Sequence, residues 1–83
     1  MILNGHGGNI TASEIIAQDI TLELGIPVVA VTYWLEAAER FSKILMNQSS
    51  VLHACEAETS MMLVLEPELV DCTDLENCRG PLD

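Results

Sequence analysis

The stretch Pro27-Val28-Val29-Ala30-Val31-Thr32-Tyr33-Trp34 most constrains what this chain can fold into. It is apolar and β-branched and lacks the polar alternation of a half-solvated strand. A strand of this kind is covered on both faces, as in a parallel sheet flanked by helices. The residues ahead of it supply the crossover. Ala12, Ile15, Ile16, Ile20 and Leu24 recur at helical spacing, with Glu14, Gln18 and Glu23 off the stripe. Gly25 is a helix-ending residue, and Pro27 forbids continuation. Ile2 and Leu3 read as the end of an earlier strand. Strand, helix and strand in this order predict a right-handed βαβ unit.

Between the first strand and the helix lies Asn4-Gly5-His6-Gly7-Gly8-Asn9. Gly and Asn tolerate positive φ, so the composition predicts a tight, strained turn that lifts His6 to the sheet edge. Thr11-Ala12-Ser13-Glu14 has the pattern of a capping box, with Thr11 accepting from the Glu14 amide. Strand end, Gly-rich turn and helix start together form the place where open α/β sheets bind ligands.

The second half is expected to be mainly helical. Leu35 to Met46 reads as one helix, with Trp34 or Leu35, Ala38, Phe41 and Leu45 on its apolar stripe. Glu36–Arg40 and Glu39–Lys43 are favourable i,i+4 pairs on its outer face. Asn47-Gln48-Ser49-Ser50 is a polar loop. Ala57 to Leu65 reads as a buried helix, ended by Glu66-Pro67. Residues 71–83 carry little pattern and read as a loose acidic tail. With no repeat, linker or low-complexity tract, residues 1–83 read as one domain. This inventory leaves a sheet of two or three strands with open edges. The chain therefore reads as part of a larger α/β domain.

Charge narrows the function. The chain has 83 residues, three of them Lys or Arg, and a net charge of −10. That excludes the phosphate contacts of a nucleic-acid binder and attraction to an anionic membrane. No apolar run approaches the roughly 20 residues of a membrane span, and Met1 leads into no leader-like segment. Cys55, Cys72 and Cys78 form neither a CxxC pair nor a zinc-ribbon spacing. Free thiols in a reducing, cytoplasmic setting are the expectation.

Two stretches carry a family resemblance. Asn4-Gly5-His6-Gly7-Gly8-Asn9 closes a strand, and His53-Ala54-Cys55-Glu56-Ala57-Glu58-Thr59-Ser60 opens a helix further on. An apolar helix and Pro67-Glu68-Leu69-Val70 follow. In order, spacing and context these residues resemble the creatininase family of creatinine amidohydrolase-like, metal-dependent hydrolases. The likeness runs from Ile2 to Val70, a minor part of a full family member.

The resemblance implies a three-layer α/β/α sandwich with a mostly parallel sheet, of which this chain would be a βαβ unit plus two helices. It implies a binuclear centre of zinc, manganese or iron at the carboxyl ends of the strands. The metals would activate a water that attacks the carbonyl of a cyclic or linear amide. His6 matches a metal-ligating histidine, with Asn4, Gly5, Gly7, Gly8 and Asn9 shaping its turn. His53 matches a histidine that transfers a proton to the leaving nitrogen, and Glu58 an acidic residue beside it. Tyr33 and Trp34 fall where family members often carry aromatics near the substrate, and plain core packing is an equal reading of the pair. Family substrates include creatinine, a formylamino-pyrimidine nucleotide and a modified peptide, so the fold leaves the substrate open. Family members are often oligomers.

Two departures stand beside these matches. The family's glutamate-x-histidine pair and following aspartate, which complete its ligand set, have no counterpart ahead of the turn here. Cys55 occupies a position where the family usually has Gly, and a Cβ there would crowd a positive-φ turn. The resemblance thus implies a truncated or split amidohydrolase that takes its missing ligands from a complementing chain. The alternatives are a non-catalytic, oligomerising remnant and, third, an anion-binding module built on the Gly turn and helix start.

Overall fold

The computed structural model describes residues 1–78. The chain forms two compact units, Met1–Ala37 and Ala38–Asp83, and each is described by itself.

The first unit is the βαβ arrangement. Strand β1 spans Ile2–Asn4, helix α1 Ile10–Leu24 and strand β2 Ala30–Thr32. The strands are parallel and in register, with Ile2 beside Ala30, Leu3 beside Val31 and Asn4 beside Thr32. Pairing reaches one residue back through the Ile2 amide, which donates to the Val29 carbonyl at 2.8 Å. Helix α1 rests on both strands. Ala17 is its buried residue, and Ile10, Ser13, Ile20 and Thr21 are half-buried at spacings of three and four. Ile15, Ile16 and Leu24, expected on the inner stripe, are exposed. The small side chain of Ala17 is what lets the helix lie close to a two-stranded sheet.

Helix α1 ends as expected. Gly25 adopts φ 65°, and its amide donates to the Thr21 carbonyl at 3.0 Å. Thr21 also binds the chain on its way to β2: its hydroxyl donates to the Ala17 carbonyl at 2.8 Å and accepts from the Val28 amide at 2.9 Å. The helix start differs from expectation. A 3-10 turn at Gly7–Asn9 runs directly into α1. Helical backbone therefore begins before Thr11, and the Thr11–Glu14 capping box has no helix end to cap.

The β2 strand is shorter than its composition suggests. Tyr33 and Trp34 open helix α2, Tyr33–Glu36, because the helix formers Leu35, Glu36, Ala37 and Ala38 follow them. Val29 is exposed, so coverage on both faces is not supplied by these residues. The expected long helix is also interrupted. At Ala37 the backbone turns to φ −101°, ψ 13°, and helix α3 covers only Ala38–Ile44. Glu36 and Arg40 thus sit on different helices, whereas Lys43 and Glu39 pair at 2.6 Å within α3.

The second unit holds α3, a loop, helix α4 at Glu56–Leu65, and 3-10 turns at Pro67–Leu69 and Leu75–Asn77. Pro67 ends α4 as its missing amide hydrogen requires. Ala57 is the buried residue of α4. Its later turns, expected to be buried, are open: Val64 is 81% and Leu65 70% exposed. Phe41, Ile44, Leu45, Ala57, Met61 and Val64 line an apolar groove of about 470 Å³. A helix apolar on most sides needs more than one neighbour, and α3 is too short to provide them. The Leu75–Asn77 turn gives part of the acidic tail local order, while residues 79–83 of that tail lie outside the described residues.

Candidate functional site

His6 sits just beyond β1, at the carboxyl end of the parallel pair. Its position is set by Asn4, the last residue of β1, which is 5% exposed. The Asn4 Oδ1 accepts from the His6 amide at 3.0 Å, and its Nδ2 donates to the His6 carbonyl at 2.9 Å and to the Thr32 Oγ1 at 3.0 Å. One side chain thereby clips both backbone groups of His6 and ties the turn to the end of β2. The backbone partners also fix which end of the Asn4 amide is oxygen, since an N–H donates and a carbonyl accepts.

The turn is not strained in the way its glycines suggest. Gly5, Gly7 and Gly8 all lie outside the left-handed region. The Asn4 clip and the 3-10 turn replace the expected positive-φ geometry. His6 has extended backbone, φ −140° and ψ 130°, and its Nδ1 accepts from the Gly8 amide at 3.0 Å. Asn9 contributes an amide that donates to the His6 carbonyl at 3.0 Å. Gly8 is the one glycine of the turn where an added Cβ would meet a neighbour: it would lie 3.1 Å from Nδ1 and 3.2 Å from Cε1 of His6, so the ring would have to give by a few tenths of an ångström.

Tyr33 and Trp34 directly follow Thr32. Their rings pack edge to face, with centroids 5.1 Å apart and planes at 87°. Both are half-buried in the first turn of α2, where the notion of aromatics at a strand end becomes aromatics at a helix start.

His53 and Glu58 belong to the second unit. His53 is exposed in the turn before α4, and Glu58 is half-buried in the first turn of that helix. Helix α4 begins between them, at Glu56. Cys55 is the residue preceding α4 and is extended, φ −95° and ψ −175°. The positive φ of this segment falls on Ala54, at 47°. A side chain at position 55 therefore meets no backbone penalty, and its buried thiol accepts from the Leu52 amide at 3.3 Å.

Glu56, which sequence reasoning passed over, anchors this segment. Its carboxylate accepts from the Met46 amide at 2.8 Å and the Asn47 amide at 2.9 Å. Its own amide donates to the Gln48 Oε1 at 3.0 Å. The Met46 and Asn47 amides hold the carboxyl below the usual Glu range. Thr32, the second overlooked residue, carried no local signal because its partner is 28 positions away.

A catalytic metal site of this general kind takes about three protein ligands. Among the described residues no three His, Cys, Asp or Glu side chains converge on one point. These residues alone do not fit a metal centre. Cys55, Cys72 and Cys78 are free thiols, so Cys72 and Cys78 form no disulfide.

A family model for creatinine amidohydrolase matches residues 1–81. The chain belongs to the creatininase family. No curated protein and no solved structure matches it. The family accounts for the mixed helix and parallel-strand architecture and makes the chain an amidohydrolase-family protein. No helix among the described residues is long and apolar enough to cross a membrane.

Proposed function

We propose that the chain carries part of the active site of a creatininase-family hydrolase that cleaves the C–N bond of a small-molecule amide. One observation supports this most: Asn4 and Thr32 hold His6 at the carboxyl end of a parallel strand pair, where such sheets bind ligands. In this reading His53 gives a proton to the departing nitrogen, and Glu58 keeps its ring oriented. Proton transfer to a leaving group is a role that a positioned imidazole commonly fills. Tyr33 and Trp34 offer an apolar wall for the substrate. The described residues do not by themselves assemble a metal ligand set. The remaining ligands would come from residues other than these 83, on a complementing chain in a cytoplasmic assembly.

The exposed apolar groove and the open face of α4 support such an arrangement, since large apolar patches mark surfaces that are covered in the working molecule. The test is metal content by ICP-MS and calorimetry with zinc and manganese, beside a His6→Ala control. Binding that is lost in the control supports His6 as a ligand position; binding unchanged by the substitution overturns it.

A second reading, a non-catalytic family member, is favoured by the lack of three converging ligands among the described residues. Adding a polypeptide that carries the glutamate-x-histidine and aspartate ligands separates the two. Amide hydrolysis that depends on both chains and on His53 supports the enzymatic reading. Complex formation without turnover supports the other.

A further inference from the structure

We propose that Asn4–Gly5 is a self-modifying dipeptide, primed to deamidate, and that the fold keeps it unreacted through the three hydrogen bonds on the Asn4 carboxamide. The chain has four asparagines, and only Asn4 precedes a glycine. Asn9, Asn47 and Asn77 precede Ile10, Gln48 and Cys78, each with a Cβ beside the peptide nitrogen. Gly5 has no Cβ, is exposed, and has open space where one would go. Its nitrogen is the least hindered nucleophile next to any asparagine of the chain.

Water is the one co-reactant. The Gly5 nitrogen attacks the Asn4 Cγ and gives up its proton. A ring N–C bond forms, the Cγ–Nδ2 bond breaks, and Nδ2 leaves as ammonia. Water then opens the succinimide at one of its two carbonyls and leaves aspartate or isoaspartate. In the folded chain both ends of the carboxamide are engaged. Oδ1 accepts from the His6 amide at 3.0 Å, and Nδ2 donates to the His6 carbonyl at 2.9 Å and to the Thr32 Oγ1 at 3.0 Å. Both Nδ2 hydrogens are thereby used, and Asn4 is buried. Turning Cγ onto the Gly5 nitrogen and releasing ammonia breaks these bonds. Reaction therefore runs through a local opening of the strand end, at a rate set by the open fraction. Either product prevents the bonds from re-forming as they were. Aspartate places an oxygen against the His6 carbonyl, acceptor against acceptor, and isoaspartate lengthens the main chain by a methylene ahead of His6.

The site stands on the Asn4 geometry whatever the chain catalyses. The experiment follows all four asparagines of the 83-residue chain at mildly alkaline pH, by peptide mapping with fragmentation that separates aspartate from isoaspartate. In guanidinium chloride Asn4 is expected to react fastest, and Gly5→Ala to bring it into the range of the others. An Asn4 no faster than Asn9, Asn47 and Asn77 there overturns the priming. In buffer, Asn4 is expected to react at least about tenfold more slowly than in denaturant, and equal rates overturn the protection. Thr32→Val removes one acceptor and is expected to speed the reaction in buffer, whereas Thr32→Ser keeps the hydroxyl and the slow rate. Gly25→Ala weakens the far end of α1 and controls for lost stability. A speeding by Gly25→Ala as large as that by Thr32→Val, or loss of the slow rate in Thr32→Ser, overturns the hold exerted by Thr32.

Discussion

Asn4 and Thr32 end the two parallel strands in register, and the Asn4 amide donates to the Thr32 hydroxyl at 3.0 Å. Both are buried polar side chains. A satisfied buried pair of this kind is modest in net stability but costly to break, since the partner left behind loses water without gaining a bond.

Asn4→Ala removes that bond and both clips on His6. The expected loss is about 1–3 kcal/mol, read as a lower denaturation midpoint, and the His6 and Gly8 amides should exchange faster. Thr32→Val removes only the hydroxyl and should leave the His6 clips intact. Equal effects of the two substitutions on His6 exchange would argue against a turn held by Asn4.

Glycines in this chain are expected to behave unequally. Gly25 ends α1 at φ 65°, a conformation that costs an L-residue roughly 1 kcal/mol or more. Gly5 and Gly7 lie outside that region and have open space where a Cβ would go. Gly25→Ala should therefore lower stability by about 1 kcal/mol, whereas Gly5→Ala and Gly7→Ala should be neutral or slightly stabilising. Thermal midpoints of the three variants decide this.

Ala54 is the non-glycine residue with positive φ among the described residues, at 47°. Relief of that backbone cost predicts that Ala54→Gly stabilises the chain by up to about 1 kcal/mol, partly offset by the greater freedom of the unfolded Gly. Ala54→Val should destabilise it, because β-branching makes the left-handed region harder to reach. Denaturant midpoints with unchanged slope check both signs.

Local signals were legible and distant ones were not. Gly25 and Pro67 announce helix ends because their effect lies in one residue's own backbone. The strand-helix-strand order follows from the contrast between the Ala12–Leu24 spacing and the β-branched run after Pro27. The stop of β2 at Thr32 was hidden, since Tyr33 and Trp34 favour strands by composition while the residues after them favour a helix. The Asn4–Thr32 bond was hidden for another reason: it depends on strand register, which neither residue's neighbours encode. The same holds for Glu56, whose partners Met46 and Asn47 follow from the path of a loop. The glycines around His6 pointed to positive φ, yet the Asn4 side chain achieves the turn with ordinary backbone.

Glu56 gives the chain a pH dependence of definite sign. Its carboxylate accepts the Met46 and Asn47 amides, the larger effect coming from Met46, and both bonds favour the charged form. The folded-state pKa thus lies below the unfolded value, ordinarily about 4.3. A group shifted this way contributes stability that is present above the unfolded value and is lost as pH falls through the folded one. Acidification below about pH 4.3 should therefore release the Met46 and Asn47 amides, seen as their NMR shifts moving together. Glu56→Gln keeps one acceptor oxygen but turns an NH₂ toward the second amide donor. That variant should lose one of the two bonds at neutral pH, exchange one amide faster, and show no acid-driven change at Met46 and Asn47. A titration at these amides that survives the substitution would assign the acid response to another carboxylate.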